Sequence, residues 1–138
     1  MIRITALITA GALFLTACQT GTGVGTITQT ETITLHRTRP ANPPPDTCWS
    51  SQTAPQTDDD IWFETPCPDV LDIEFIATLQ RALKARGRYG GEIDGTLGTG
   101  TRKAIRTYQA AHGLDSDVLA LDTARQLGLI AYPRPDKA

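Results

Sequence analysis

At Asp72 the texture of the chain changes, and the residues beyond it have the apolar period of a packed helical unit. Ile76, Leu79 and Leu83 recur at i, i+3 and i+7, Phe75 and Ala82 widen the stripe, and Arg81, Lys84 and Arg86 fall on other faces. That spacing predicts an amphipathic helix over Ile73 to Arg86. Asp72 is placed to cap its first turn, and Gly87 to close it in the left-handed conformation that glycine adopts without steric cost. Next comes a glycine-dense stretch from Tyr89 to Gly98, in which Asp94-Gly95 favours a tight turn and Ile93 and Leu97 point to a small core. A second helix is expected after it, capped by Thr99 or Thr101, with Ala104, Ile105, Tyr108 and Ala111 on its apolar face and Gly113 at its end. A third, shorter helix from about Asp122 to Leu127 adds Ala124 and Leu127 to the same core. The fold class expected is therefore mainly α, a small three-helix unit over residues 69–132. A chain of 138 residues has room for one such domain and its extensions.

Upstream, three segments differ in chemistry. Met1 to Arg3 supplies a positive start and Ile4 to Ala17 an uncharged run, so residues 1–17 read as a secretory signal. The run is shorter than the roughly 20 apolar residues that span a bilayer. Leu15-Thr16-Ala17-Cys18 resembles the lipobox of bacterial lipoproteins, which implies cleavage before Cys18 and acylation of its sulfur. Each buried CH₂ contributes about 0.8 kcal/mol, so two or three chains anchor firmly. Gln19 is not the aspartate that, by resemblance to enterobacterial sorting rules, retains a lipoprotein in the inner membrane; the expected location is the outer membrane, facing the periplasm. Residues 18–46 read as a flexible Thr/Pro-rich linker ending in Pro43-Pro44-Pro45, with a reach of roughly 30 Å on average and about 90 to 100 Å at full stretch. Alternating threonines allow one weak strand within 26–35. In the loop 47–68, Cys48 and Cys67 are expected to pair in an oxidising compartment, stabilising by roughly 3 kcal/mol. Trp49, Trp62 and Phe63 are expected to lie on the helical domain as an apolar patch.

The formal charge of −2 and the scattered basic residues exclude a nucleic-acid binder of the usual kind. Arg81, Lys84, Arg86, Arg88, Arg102, Lys103 and Arg106 lie close enough in sequence to meet an acidic ligand, the alternative being a solvated helix surface. No pattern supports an enzyme. His36 falls in the linker, His112 precedes a helix-stopping glycine, and no His pair or CxxC spacing suggests zinc, so neither a metal nor a cofactor is expected.

The residues from about Phe75 to Leu129 resemble the peptidoglycan-binding domain 1 type, a three-helix module found on many cell-wall hydrolases and transpeptidases. The resemblance rests on Leu79-Gln80, Leu83 and Gly87; on Tyr89, Gly91 and Ile93-Asp94-Gly95 with Gly98; and on Thr101-Arg102, Ala104-Ile105, Tyr108-Gln109 and Gly113-Leu114. The chain departs from the family at Ser116 to Thr123, where two customary glycines are absent. By residue type, ligand contact is expected from Tyr89, Asp94, Arg102, Arg106 and Gln109, the last three being neighbours on one helix. Each has a structural alternative: Asp94 as a turn former, Tyr89 as core or rim, Gln109 as a buried link, the arginines as solvated charge. The resemblance implies a membrane-anchored, non-catalytic peptidoglycan binder that tethers the envelope or localises cell-wall enzymes; the alternative is a periplasmic protein-interaction module on the same fold.

Overall fold

The computed structural model describes residues 32–133. The signal segment 1–17, Cys18 and the linker through residue 31 lie outside the described residues.

Three helices form as the periodicity predicts: α1 (Ile73–Ala85), α2 (Thr99–Ala110) and α3 (Leu121–Gln126). Asp72 caps α1, its carboxylate accepting the Phe75 N–H at 2.7 Å. At the other end Gly87, at φ +68°, donates to the Lys84 carbonyl while Arg88 donates to that of Leu83, the paired closure that satisfies a helix's last carbonyls. Gly113 and Gly128 end α2 and α3 with the same pair of bonds. The cap expected for α2 is not Thr99 or Thr101: Gly98 occupies that position without a side-chain bond, and Thr101 is buried one turn on. The main core joins Ile76, Leu79 and Leu83 of α1, Ala104, Ile105 and Tyr108 of α2, Leu119, and Ala124 and Leu127 of α3.

The segment 47–68 is more than a closed loop. Strands β1 (Cys48–Thr53) and β2 (Asp60–Thr65) pair antiparallel, with Ser50 opposite Phe63, and the Cys48–Cys67 disulfide closes the open end. The polar sequence of β1 gives no strand pattern of its own; its backbone is ordered by the partner strand. Alternation along β2 sends Ile61 and Phe63 to one side and Trp62 to the other. Phe63 is fully buried with Ile33, Leu114 and Ala120 in a second, smaller core. The expected patch is thus split: Phe63 docks on the helical domain, whereas Trp62 meets Arg39 and Trp49 packs edge-on against His36.

The linker expected through Asp46 also needs correction. Ile33 is buried, the Thr34 N–H donates to the Asp122 carboxylate, and His36 exchanges two backbone hydrogen bonds with Trp62. The chain from Thr32 to His36 is therefore fastened to the hairpin and α3. Of the weak strand allowed within 26–35, the described part, Thr32–Leu35, is not a strand; pairing is confined to the bridge at His36. Among the described residues no helix is long and apolar enough to cross a membrane, and no group of His, Cys, Asp and Glu is placed to hold a metal ion.

Candidate functional site

The glycine-dense turn is organised from beneath by Gln80. Its side chain is wholly buried on α1. The amide nitrogen lies 2.7 Å from the Asp94 carboxylate, 3.0 Å from the Thr101 hydroxyl and 3.1 Å from the Thr96 carbonyl, while the amide oxygen accepts the Gly95 N–H at 3.0 Å. A primary amide has two donors and one carbonyl, and here both ends are spent on fixing the turn. Asp94 also accepts the Thr96 N–H at 2.9 Å. The Gln80 amide, then the Thr96 N–H, hold the Asp94 carboxyl below the ordinary carboxylate range. Gly95, at φ +69°, lies against Ile73, whose carbonyl oxygen would be 2.7 Å from any added Cβ. Lys84 donates to the Gly91 carbonyl at 3.1 Å, tying the turn's outer edge to α1.

Above this scaffold a hollow of about 340 Å³ opens between the turn and α2. Arg88, Tyr89, Gly90 and Gly91 line it from the turn, and Gly100, Lys103, Ala104 and Thr107 from the helix. The half-buried Tyr89 donates its hydroxyl proton to the Glu92 carbonyl at 2.7 Å. Gly91 leaves room for the ring: a Cβ on Gly91 would stand 2.6 Å from the Tyr89 hydroxyl oxygen.

Only part of the expected site converges here. Tyr89 lines the hollow, and Asp94 lies below it as a turn former whose carboxylate is directed at Gln80 and Thr96. Arg102, Arg106 and Gln109 lie on a different stripe of α2. One residue along a helix is a rotation of about 100°, so the stripe through Gly100, Lys103 and Thr107 faces the hollow and the stripe through 102, 106 and 109 turns away. Arg106 makes a two-pronged ion pair with Asp115, its Nη2 2.8 Å from the carboxylate. The hydrogen bond and charge of Asp115 raise the Arg106 pKa, and Arg106 lowers that of Asp115. Gln109 is fully buried: its amide donates to the Ser116 and Val118 carbonyls and accepts the Ala120 N–H. Ligand contact by Gln109 is thereby corrected to a structural link, because every polar atom of its side chain is already used inside the protein. Arg102 is half-buried, and its guanidinium makes no bond within the described residues.

Of the residues expected from α2, none lines this hollow. The signal for the stripe that does was available, since Gly100, Lys103, Ala104 and Thr107 are related by i+3, i+4 and i+7 and come directly after the glycines of the turn. A second hollow, about 310 Å³ beside the disulfide, is lined by Asp46, Glu64 and Asp69 and has the opposite electrostatic character.

Residues 74–117 match the model of a family described as "Putative peptidoglycan binding domain". Two curated relatives, both spore cortex-lytic enzymes of Bacillus cereus, are each 38% identical over 65 residues. The alignment takes in 47% of this chain and 25% of the relative, so the chain spans about a quarter of the length of these proteins. No solved structure matches the chain significantly. The turn and α2, which line the Tyr89 hollow, fall inside the matched stretch, and residues 74–117 are of the peptidoglycan-binding domain 1 type.

Proposed function

We propose that this chain is a lipid-anchored envelope protein that binds peptidoglycan without catalysis, through the face formed by the 88–98 turn and the Lys103 stripe of α2. The observation that carries this reading is the coincidence of the family match with an open hollow whose walls come from the matched elements. No nucleophile with a partnered base lines that hollow, so the site is suited to holding a ligand rather than cleaving one. The relatives named for lysis of spore cortex share with this chain a stretch that is a quarter of their length. Acylation of Cys18, supported by the lipobox resemblance, would fix the protein to the outer membrane facing the periplasm, where it tethers the envelope or brings cell-wall enzymes to their substrate.

The test is sedimentation of the detergent-solubilised full chain with isolated sacculi. The protein is expected in the pellet; its absence there at both low and moderate salt removes the reading. Cys18→Ala is expected to release the protein from the membrane fraction, and persistence in that fraction would show that the anchor lies elsewhere.

A further inference from the structure

Within the proposed peptidoglycan-binding reading, on which this step rests, we infer that the Tyr89 hollow takes a carboxylate of the peptide stems, held between Arg88 and Lys103, in preference to the sugar strand. Several cations of the helical domain are already engaged inside the protein. Arg106 pairs with Asp115, Arg125 with Asp122, Lys84 donates to the Gly91 carbonyl and Arg86 to that of Ala82. Arg88 and Lys103 differ. Both are exposed, both line the hollow, and neither side chain makes a hydrogen bond or ion pair within the described residues.

The lining contains no carboxylate to neutralise them. Of the two acidic residues on the turn, Asp94 spends its carboxylate on Gln80 and the Thr96 N–H, and Glu92 is exposed outside the lining. The backbone N–H groups of Gly90 and Gly91, two of the lining residues, likewise have no acceptor within the described residues. The hydroxyls present are committed as donors inward, that of Tyr89 to the Glu92 carbonyl and that of Thr107 to the Lys103 carbonyl. Tyr89 therefore offers the hollow chiefly its ring, an apolar floor for the methylenes that carry a side-chain or terminal carboxylate.

A sugar strand would ask for something else. Its hydroxyls donate as well as accept and carry no charge, whereas a carboxylate only accepts and is matched in charge as well as in hydrogen bonding by Arg88 and Lys103. The hollow beside the disulfide, lined by Asp46, Glu64 and Asp69, would repel the same ligand.

The experiment compares binding of the detergent-solubilised full chain to three probes: intact sacculi, sacculi whose peptide carboxylates have been converted to amides, and peptide-free glycan strands. Arg88→Gln and Lys103→Gln are each expected to weaken binding to intact sacculi roughly three- to tenfold, with unchanged thermal unfolding, since both side chains are exposed. Amidated sacculi should bind the wild type as weakly as intact sacculi bind the double variant, and the double variant should lose little further on amidated material. Equal binding of the wild type to intact and amidated sacculi, or glycan strands as good as sacculi, overturns the carboxylate assignment and leaves peptidoglycan binding standing. Failure to bind intact sacculi removes both.

Discussion

The turn at 88–98 and the loop at 114–120 are each fastened by one buried glutamine, yet the first stays open to solvent while the second is covered by the hairpin. Gln80 reaches from α1 to Asp94, Gly95, Thr96 and Thr101; Gln109 reaches from α2 to Ser116, Val118 and Ala120. Around Gln80 the sequence is rich in glycine, so backbone approaches backbone and a hollow remains above Tyr89. Around Gln109 the family's glycines are missing, and Leu114, Val118 and Ala120 supply an apolar surface onto which Phe63, Ile61 and Ile33 close. The Gln52 amide donates to the Asp115 carbonyl across the same junction. The departure from the family pattern at 116–123 thus has a physical counterpart: that loop is a docking surface for the chain's own upstream segment, and the other loop is left open to solvent.

The largest effect is expected from removing the cover. Phe63→Ala should destabilise by about 3 to 5 kcal/mol, the usual cost of emptying a fully buried aromatic site, measured by denaturant unfolding. Next, Cys48→Ser with Cys67→Ser should cost about 3 kcal/mol. It should speed amide exchange at 114–120 while leaving 88–98 as protected as before; equal loosening of both loops would show that they are not independent. Gln80→Met and Gln109→Met should each cost about 2 to 3 kcal/mol, because shape is kept and buried partners are left unsatisfied. Only the Gln80 substitution should also weaken sacculus binding, since it alone frees the turn that shapes the hollow. The smallest effect is expected from Arg106→Ala, with sacculus binding unchanged; a marked loss would move the ligand face toward 115.

Acid separates the two loops less cleanly, because each contains one carboxylate with a lowered pKa, Asp94 held by Gln80 and Asp115 by Arg106. A pKa lower in the folded than in the unfolded state means that the stabilisation is present above the unfolded value, about 4, and is lost as pH falls through the folded one. Asp94→Asn and Arg106→Ala should therefore each remove stabilisation that the wild type has near neutrality, so that the variant curves fall less steeply below about pH 4 and meet that of the wild type in acid.

The helical half of this architecture was readable because its information is local. Asp72, the Ile76/Leu79/Leu83 stripe and Gly87 lie within one helix and its caps, and the structure reproduces them almost residue by residue. The hairpin was not readable as such: Cys48-Trp49-Ser50-Ser51-Gln52-Thr53 has no strand pattern, and its pairing depends on contacts across a loop and a disulfide. Ile33 looked like part of a tether because its partners, Phe63, Leu114 and Ala120, are 30 or more residues away in sequence. At the site, residue type favours arginine and glutamine on α2, but which stripe lines the hollow is set by the side of the helix on which the turn packs, and the i+3, i+4 and i+7 spacing of Gly100, Lys103, Ala104 and Thr107 marks a common face without saying what it meets.

Hydrogen exchange of the full chain with and without soluble peptidoglycan fragments tests the division between the two loops most directly. Added protection is expected across 88–107, with 114–120 and the hairpin unchanged. Protection appearing at 114–120 or on the hairpin, with 88–107 unaffected, would contradict it.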